Sequence, residues 1–133
     1  LMKLIFSSME QYMMYKKAVC FNDIEIEKKI LDVTDAAVIK SLGRQVKNYN
    51  DSYWNGIRQI IVYEGLREKF AQNKILEKKL KSTGDSILAE CAVKDKIWGI
   101  GLSMRDENRF KPEKWRGQNL LGYSLMMIRD ALI

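Results

Sequence analysis

The run S-S-M-E-Q-Y-M-M-Y-K-K-A-V-C, residues 7–20, marks the start of a helix more clearly than any other stretch of the chain. Ser7 and Glu10 have the spacing of a capping box, in which the hydroxyl and the carboxylate each satisfy a backbone N–H at the helix start. Methionines and a tyrosine then form an apolar stripe that ends at Cys20. The stretch therefore predicts an amphipathic first helix capped by Ser7.

Glu10 and Lys17 lie on one face of this predicted helix. They are seven residues apart, close to two turns, so their side chains point the same way about 10 Å apart along the axis. Met13 and Met14 lie between them, and a carboxylate and an ammonium beside soft apolar side chains could line a ligand pocket. In a simpler interpretation Glu10 only caps the helix, Lys17 is a solvated charge and the methionines are core. Spacing alone leaves both interpretations open.

The composition indicates a compact helical protein. The chain has 133 residues, of which 47% are hydrophobic and 30% charged, with eight glycines and one proline, which suits one domain and excludes a disordered chain. We expect a mainly α fold, with residues 1–133 forming a single compact helical domain that has a few short β-strands. The best strand candidate is the short apolar run at 86–91, which is bounded by turn residues.

The absence of histidine restricts the chemistry most. It removes the usual general base near neutral pH and the commonest metal ligand, and two scattered cysteines supply no zinc site. We therefore predict no metal and no cofactor, and acid–base chemistry carried by Glu, Asp, Lys, Tyr or Cys. Distant cysteines without a secretory signal pattern suggest a reduced, cytoplasmic protein. No apolar run approaches the ~18 residues of a membrane span.

Further helices follow from caps and periodicity. Asn22 or Asp23 caps a second helix, and Thr34 caps a third that ends at Gly43, read as a C′ glycine with positive φ. A long helix begins near Asp51, a basic amphipathic helix covers 74–81, and a final helix follows residue 119. The net charge of +6 favours an anionic partner such as phosphate or nucleic acid, although the basic residues form no block.

Several polar and aromatic residues have both a structural and a functional interpretation. Trp54 fits the core, and Arg58 four residues later could stack on its ring or reach into a site. Glu90 lies within the predicted strand and needs a partner, either an arginine or a ligand hydroxyl. Trp98 stands beside Gly99, where ring and backbone can approach another group closely. Asn119 is a plausible helix cap.

Six motifs, taken together and in order, resemble the NADAR family of N-glycosidases. They are E-Q-Y-M-M-Y-K-K-A at 10–18, G-R at 43–44, K-F at 69–70, T-G-D-x-x-L-x-E at 83–90, D-x-x-W-G-x-G at 95–101 and W-x-G-x-N-x-L-G at 115–122. Leu125, Met126 and Arg129 close the series, which covers nearly the whole chain.

The resemblance implies an enzyme that hydrolyses the C–N bond between a phosphorylated ribose and a nitrogen base. Its substrates would be phosphoribosylamino-pyrimidine intermediates of the riboflavin pathway or ADP-ribose attached to guanine, including ADP-ribosylated nucleic acid. The alternative is a non-catalytic module that binds ADP-ribose or nucleotides. Family members usually carry a longer segment before the first helix, so the domain is expected to be short at its N-terminus.

The resemblance also implies roles for single residues. Glu10 and Lys17 would be the catalytic pair. Their position on one helical face leaves two routes open: Lys17 forms a Schiff base with the opened ribose, or Glu10 activates a water that displaces the base directly. The expected substrate-binding residues are Arg44, Trp54, Arg58, Glu90, Asp95, Trp98, Gly99, Asn119 and Arg129. Of these, Arg44 and Arg129 would anchor phosphate or ribose, and the Trp98 ring would stack on a flat base.

Overall fold

The computed structural model describes residues 4–132 and contains, within that range, six α-helices and two short 3₁₀ helices. The α-helices are α1 (Met9–Cys20), α2 (Ile24–Leu31), α3 (Ala36–Arg44), α4 (Asp51–Ala71), α5 (Lys74–Ser82) and α6 (Leu120–Ala131). The 3₁₀ helices are Glu107–Phe110 and Pro112–Lys114. The prediction of a mainly α fold is confirmed. None of the helices in the described range is long and apolar enough to cross a membrane.

The chain divides into two compact units, residues 1–65 and residues 66–133. Helix α4 contributes to both, because the division falls between Gly65 and Leu66. That residues 1–133 act as one domain stays a prediction. The predicted short N-terminus involves Leu1, Met2 and Lys3, which lie outside the described residues.

A hydrophobic core joins the helices of the first unit. Ala18 of α1, Ile30 of α2 and Ile39 of α3 are fully buried, and Trp54 of α4 belongs to the same cluster. Truncating Ile30 or Ile39 to alanine would remove buried apolar surface and leave a cavity, which typically lowers the free energy of unfolding by about 2–5 kcal/mol. Helices α2 and α3 are therefore packed against the buried side of α1.

Helix α1 begins one residue later than predicted. Its N-cap is Ser8, whose hydroxyl accepts a hydrogen bond from the Gln11 N–H at 3.1 Å. Gln11 also completes the reciprocal contact, since its side-chain oxygen accepts from the backbone N–H of Ser7 at 2.6 Å. The predicted Ser7–Glu10 capping box is wrong, and Glu10 has no capping role.

Gln11 takes the capping position because its amide can donate as well as accept. Its Nε2 donates to the backbone carbonyls of Ile30 at 3.0 Å and Val33 at 2.9 Å. A glutamate carboxylate has no proton to donate there. The buried Gln11 side chain thus ties the start of α1 to the end of α2.

Asp23 was one of two predicted caps for α2, and it is the cap. Its Oδ1 accepts from the Ile26 N–H at 3.1 Å, and its Oδ2 accepts from the Lys47 N–H at 2.8 Å. The bond from Lys47, with that from Ile26, lowers the pKa of Asp23. The next helix is capped by Asp35, not by Thr34 as predicted.

Helix α3 continues through Gly43 to Arg44, so the predicted helix end at Gly43 is wrong. Gly43 is not among the positive-φ glycines, which are Gly84 and Gly101 in the described residues. Instead, Gly43 is buried against Met14, and a Cβ at this position would collide with the Met14 sulfur. The glycine is needed for close packing of α3 on α1 and not for a turn.

No strand forms in the described part of the second unit, which consists of helices joined by long irregular segments. The predicted strand at 86–91 is wrong. Its backbone is bonded by one asparagine side chain and by the Ile100 N–H, which donates to the Glu90 carbonyl at 2.8 Å. These contacts pair the Leu88 carbonyl and both backbone groups of Glu90 without a neighbouring strand.

Candidate functional site

Lys17 lies in the last turn of α1, half-buried against aromatic rings of the first unit. Its Nζ is 4.5 Å from the ring centroid of Tyr49 and 6.0 Å from that of Trp54. A cation over an aromatic face is attracted by the ring quadrupole. The Trp54 ring is buried, while Tyr49 is 41% exposed, so the amine sits at the edge of the core.

Burial and charge act in opposite directions on this amine. Burial lowers the pKa of Lys17, the Arg44 guanidinium lowers it further, and the Asp51 carboxylate raises it. The net direction is downward, which increases the fraction of neutral, nucleophilic amine at a given pH. A lowered pKa is one of the properties that a nucleophilic lysine needs.

Of the residues predicted for the site, Lys17, Arg44 and Trp54 are brought together in the first unit. Arg58, half-buried on α4, faces Tyr49 closely enough that its charge acts on the phenol. Glu10 is half-buried in the first turn of α1. Among the described residues, the charged groups that act on the Lys17 pKa are Arg44, which lowers it, and Asp51, which raises it.

Tyr49 and Asp51 were missed by the sequence reasoning. The Tyr49 hydroxyl donates to Asp51 Oδ1 at 2.8 Å, and the Asn55 amide donates to Asp51 Oδ2 at 3.0 Å. Tyr49 precedes Asp51 by two residues and Asn55 follows it by four, at the start of α4. This spacing, an acidic residue at a helix start near a tyrosine, is visible in the sequence. The contact with Lys17 is not, because it joins residues 32 positions apart (49 minus 17).

In the second unit, Asn119 is fully buried and binds backbone only, among the described residues. Its Oδ1 accepts from the Glu90 N–H at 3.0 Å and its Nδ2 donates to the Leu88 carbonyl at 2.8 Å. It is the N-cap residue of α6 with φ 52°, but its side chain makes no capping bond. Asn119 thus positions the backbone on either side of residue 89, and the Glu90 side chain remains exposed.

Asp95 and Trp98 belong to one tight turn. The Asp95 carboxylate accepts from the backbone N–H groups of Ile97 at 3.0 Å and Trp98 at 2.8 Å. Gly99 is buried where a Cβ would crowd the carbonyls of Glu90 and Asp95. The Trp98 ring is half-buried. The turn therefore fixes the backbone that carries the Trp98 ring.

Arg129 is only 9% exposed and is one of the buried residues of α6. Its guanidinium donates to Thr83 Oγ1 at 2.9 Å and to the Ser86 carbonyl at 2.8 Å. These bonds tie α6 to the turn after α5, while the Arg129 Nε is buried without a hydrogen-bond partner among the described residues. Arg129 also lines a surface hollow of about 400 Å³ with Lys81 and Asp85.

Comparison with known proteins gives consistent results along the whole chain. The family described as NADAR domain matches residues 1–133. N-glycosidase R617 of Acanthamoeba polyphaga mimivirus is 46% identical over 123 residues, which cover 92% of this chain and 72% of the viral protein. Riboflavin biosynthesis protein VVA0006 of Vibrio vulnificus strain YJ016 is 35% identical over 89% of this chain, but only over 29% of its own length.

A solved structure shows the same fold. The NMR structure of the Escherichia coli protein YbiA matches with a TM-score of 0.73 and 27% sequence identity, over 93% of this chain and 66% of the YbiA chain. In the sequence comparison, the Escherichia coli K12 protein carries the name N-glycosidase YbiA and is 28% identical.

Proposed function

The chain belongs to the NADAR family and is a hydrolase of N-glycosyl bonds, and from that premise we propose that it cleaves the bond between a phosphorylated ribose and a nitrogen base. The two substrate classes are phosphoribosylamino-pyrimidine intermediates of the riboflavin pathway and ADP-ribose on guanine, free or in nucleic acid. The name of the Vibrio relative supports the first class. The competing proposal is a binding module without turnover.

The observation that supports catalysis most directly is the environment of the Lys17 amine. Burial and Arg44 together lower the pKa of Lys17, and two aromatic rings hold the amine in place. A ribose joined to an exocyclic amine can open to an imine, and a neutral lysine amine can exchange with that imine. A simple binding module has no need of a lysine with a lowered pKa.

The proposed reaction has four steps. The lone pair of the exocyclic amine opens the ribose ring, O4′ takes up a proton, and an iminium forms between C1′ and the base nitrogen. Neutral Lys17 adds through Nζ to C1′, and its proton passes to the base nitrogen. The C1′–N bond then breaks, the base leaves as a free amine, and Lys17 is left as a Schiff base. Water adds to C1′, the C1′–Nζ bond breaks, and the sugar leaves as an aldehyde.

Glu10 and Arg44 are assigned supporting roles in this proposal. The Glu10 carboxylate is half-buried and makes no hydrogen bond or ion pair with other described residues, so it remains available to move protons at O4′ and at the attacking water. Arg44 is exposed at the end of α3 and offers a charge-assisted contact to phosphate. The roles of Glu90, Asp95, Trp98, Gly99 and Arg129 in substrate binding stay predictions.

Borohydride trapping during turnover tests the covalent route. With either substrate class present, borohydride should reduce the Schiff base and leave a ribose-derived mass on the peptide that contains Lys17. Lys17→Arg should be inactive and form no adduct. Lys16→Arg is the matched control, because Lys16 is also a half-buried lysine near an aromatic ring, 5.7 Å from the Tyr12 centroid, and should keep both activity and adduct.

Each alternative has its own result. If an active preparation gives no adduct, or if Lys17→Arg turns over normally, direct displacement by a water that Glu10 activates replaces the covalent route. Saturable binding of ADP-ribose without release of base would support the binding module. Release of base from only one substrate class would identify the substrate.

A further inference from the structure

The side chains of Tyr49 and Asp51 are hydrogen-bonded to each other beside the Lys17 amine. The Tyr49 ring lies 4.5 Å from Lys17 Nζ, and the Tyr49 hydroxyl donates to Asp51 Oδ1 at 2.8 Å. The second carboxylate oxygen accepts from the Asn55 amide at 3.0 Å. The ring is also held edge-on by Phe21, with centroids 5.4 Å apart. Phe21 therefore holds the Tyr49 ring, and Asn55 holds the Asp51 carboxylate.

Asp51 lies in the first turn of α4, where the positive end of the helix dipole attracts its carboxylate. A phenol that donates to a carboxylate is polarised by it, since hydrogen-bonded groups in a chain strengthen one another. The Tyr49 ring then carries more electron density toward Lys17 and attracts the ammonium more strongly.

We propose that Tyr49 and Asp51 are a positioning pair that holds the Lys17 amine over the Tyr49 ring and opposes the loss of its proton. The proposal rests on Lys17 being the nucleophile. Such a lysine must lose a proton to attack and regain one when the Schiff base is hydrolysed, so an amine that is neutral at all pH values would be as unsuitable as one that is always charged.

The charges around the pair have defined signs. Arg44 from α3 and burial favour the neutral amine, whereas Asp51 from α4 favours the ammonium. Burial and the hydrogen bond to Asp51 raise the pKa of Tyr49, and Arg58 opposes this, so the phenol stays protonated and keeps its bond to Asp51. Loss of the Tyr49 hydroxyl or of the Asp51 charge should therefore leave a Lys17 that is neutral at lower pH.

The test measures the reactivity of Lys17 directly. Wild-type protein, Tyr49→Phe and Asp51→Asn are treated briefly with acetic anhydride across a range of pH values, and the acetylation of each lysine is followed by peptide mass spectrometry. The midpoint for Lys17 should fall by roughly half a pH unit in each variant, because Tyr49→Phe keeps the ring but loses its bond to Asp51, and Asp51→Asn removes the carboxylate charge. At pH values well below the midpoint, Lys17 should react about three times faster than in wild type.

Two control variants match the substitutions. Tyr53→Phe alters another tyrosine that packs on Phe21, with centroids 6.0 Å apart, and Asp32→Asn removes an exposed carboxylate in the same unit. Neither should move the Lys17 midpoint. In the double variant of Tyr49 and Asp51, the shift should be smaller than the sum of the two single shifts, because Asp51 acts partly through Tyr49.

The outcomes separate this proposal from the catalytic one. An unchanged Lys17 midpoint in Tyr49→Phe and Asp51→Asn, with folded protein by circular dichroism, would overturn the positioning pair even if borohydride trapping succeeds. Additive shifts in the double variant would also overturn it, since the groups would then act independently. A downward shift without any trapped adduct would show that the pair acts on the Lys17 amine, but it would reject Lys17 as the nucleophile and with it the catalytic role of the pair.

Discussion

At the scale of single residues, Arg44 is expected to act on the ligand and on Lys17 at once. Arg44→Ala should weaken binding of ribose 5-phosphate at least tenfold at low salt, because a charge-assisted contact contributes about 1.5–3 kcal/mol. It should also raise the Lys17 pKa, since a neighbouring positive charge is lost. The acid limb of the pH–rate profile for base release should then move to higher pH. Calorimetric titration and a pH–rate profile measure the two effects.

Arg44→Lys separates the two effects. Lysine keeps the positive charge but not the planar fork that contacts two phosphate oxygens. The pH–rate profile should stay close to that of wild type while affinity is only partly recovered. Unchanged affinity in Arg44→Ala would remove this arginine from the ligand site.

The identity of the nucleophile could be proposed from the sequence, but its surroundings could not. Lys17 stands in a family motif at helical spacing from Glu10, and both facts are local. Which carboxylate lies near the Lys17 amine depends on how α4 packs against α1. In the structure the carboxylate that raises the Lys17 pKa is Asp51, the first residue of α4. Similarly, the burial of Arg129 depends on the turn that contains Thr83, 46 residues away.

At the scale of elements, helices were predictable because their signals lie within a few residues. Asp23 correctly predicted the start of α2, and the apolar periodicity correctly predicted where α2 and α4 lie in the chain. Errors arose where two neighbouring residues competed for one role. Ser8 with Gln11 replaced Ser7 with Glu10, because only an amide could also donate to Ile30. Gly43 was read as a helix end, although its small size serves the contact with Met14.

The attachment of α6 to the segment at 88–90 is predicted to depend on Asn119. Asn119→Ala should lower the free energy of unfolding by about 2–4 kcal/mol, because it leaves two buried backbone groups without partners and places Ala at a positive φ. Asn119→Gly removes the same bonds without the backbone strain and should cost less, by about 1 kcal/mol. Urea denaturation of the two variants measures the difference. Equal stability of wild type and Asn119→Ala would contradict this role.

At the scale of the whole molecule, the absence of histidine predicts a flat dependence of stability on pH near neutrality. Asp23, Glu25 and Glu77 have lowered pKa values, so their stabilising contribution is complete above their ordinary values of 3.8 and 4.5 and is lost as pH falls through the lowered ones. Lys17 acts in the alkaline range, where stability rises with pH between its lowered pKa and 10.5.

Thermal denaturation should therefore give a nearly constant Tm from about pH 5.5 to 8 and a fall below about pH 4. A marked change in Tm between pH 6 and 8 would show that another group titrates on unfolding. If Tm is constant there, any change of activity in the same range reports on the reaction and not on folding, which simplifies the assignment of Lys17.

The hydrogen bonds of the second unit also determine how fast some of its backbone amides exchange hydrogen with solvent. Asn119 closes a loop of 31 residues when it binds the Leu88 carbonyl, and the N–H groups of Gln118 and Asn119 donate to Lys96 and Gly99 at 2.8 and 2.9 Å. Because the ends of a long loop must meet before such bonds form, these amides gain protection from hydrogen exchange only when the loop has closed. After transfer to heavy water, the N–H signals of Gln118 and Asn119 should decay together, and each opening of the loop that they record also releases the Glu90 backbone.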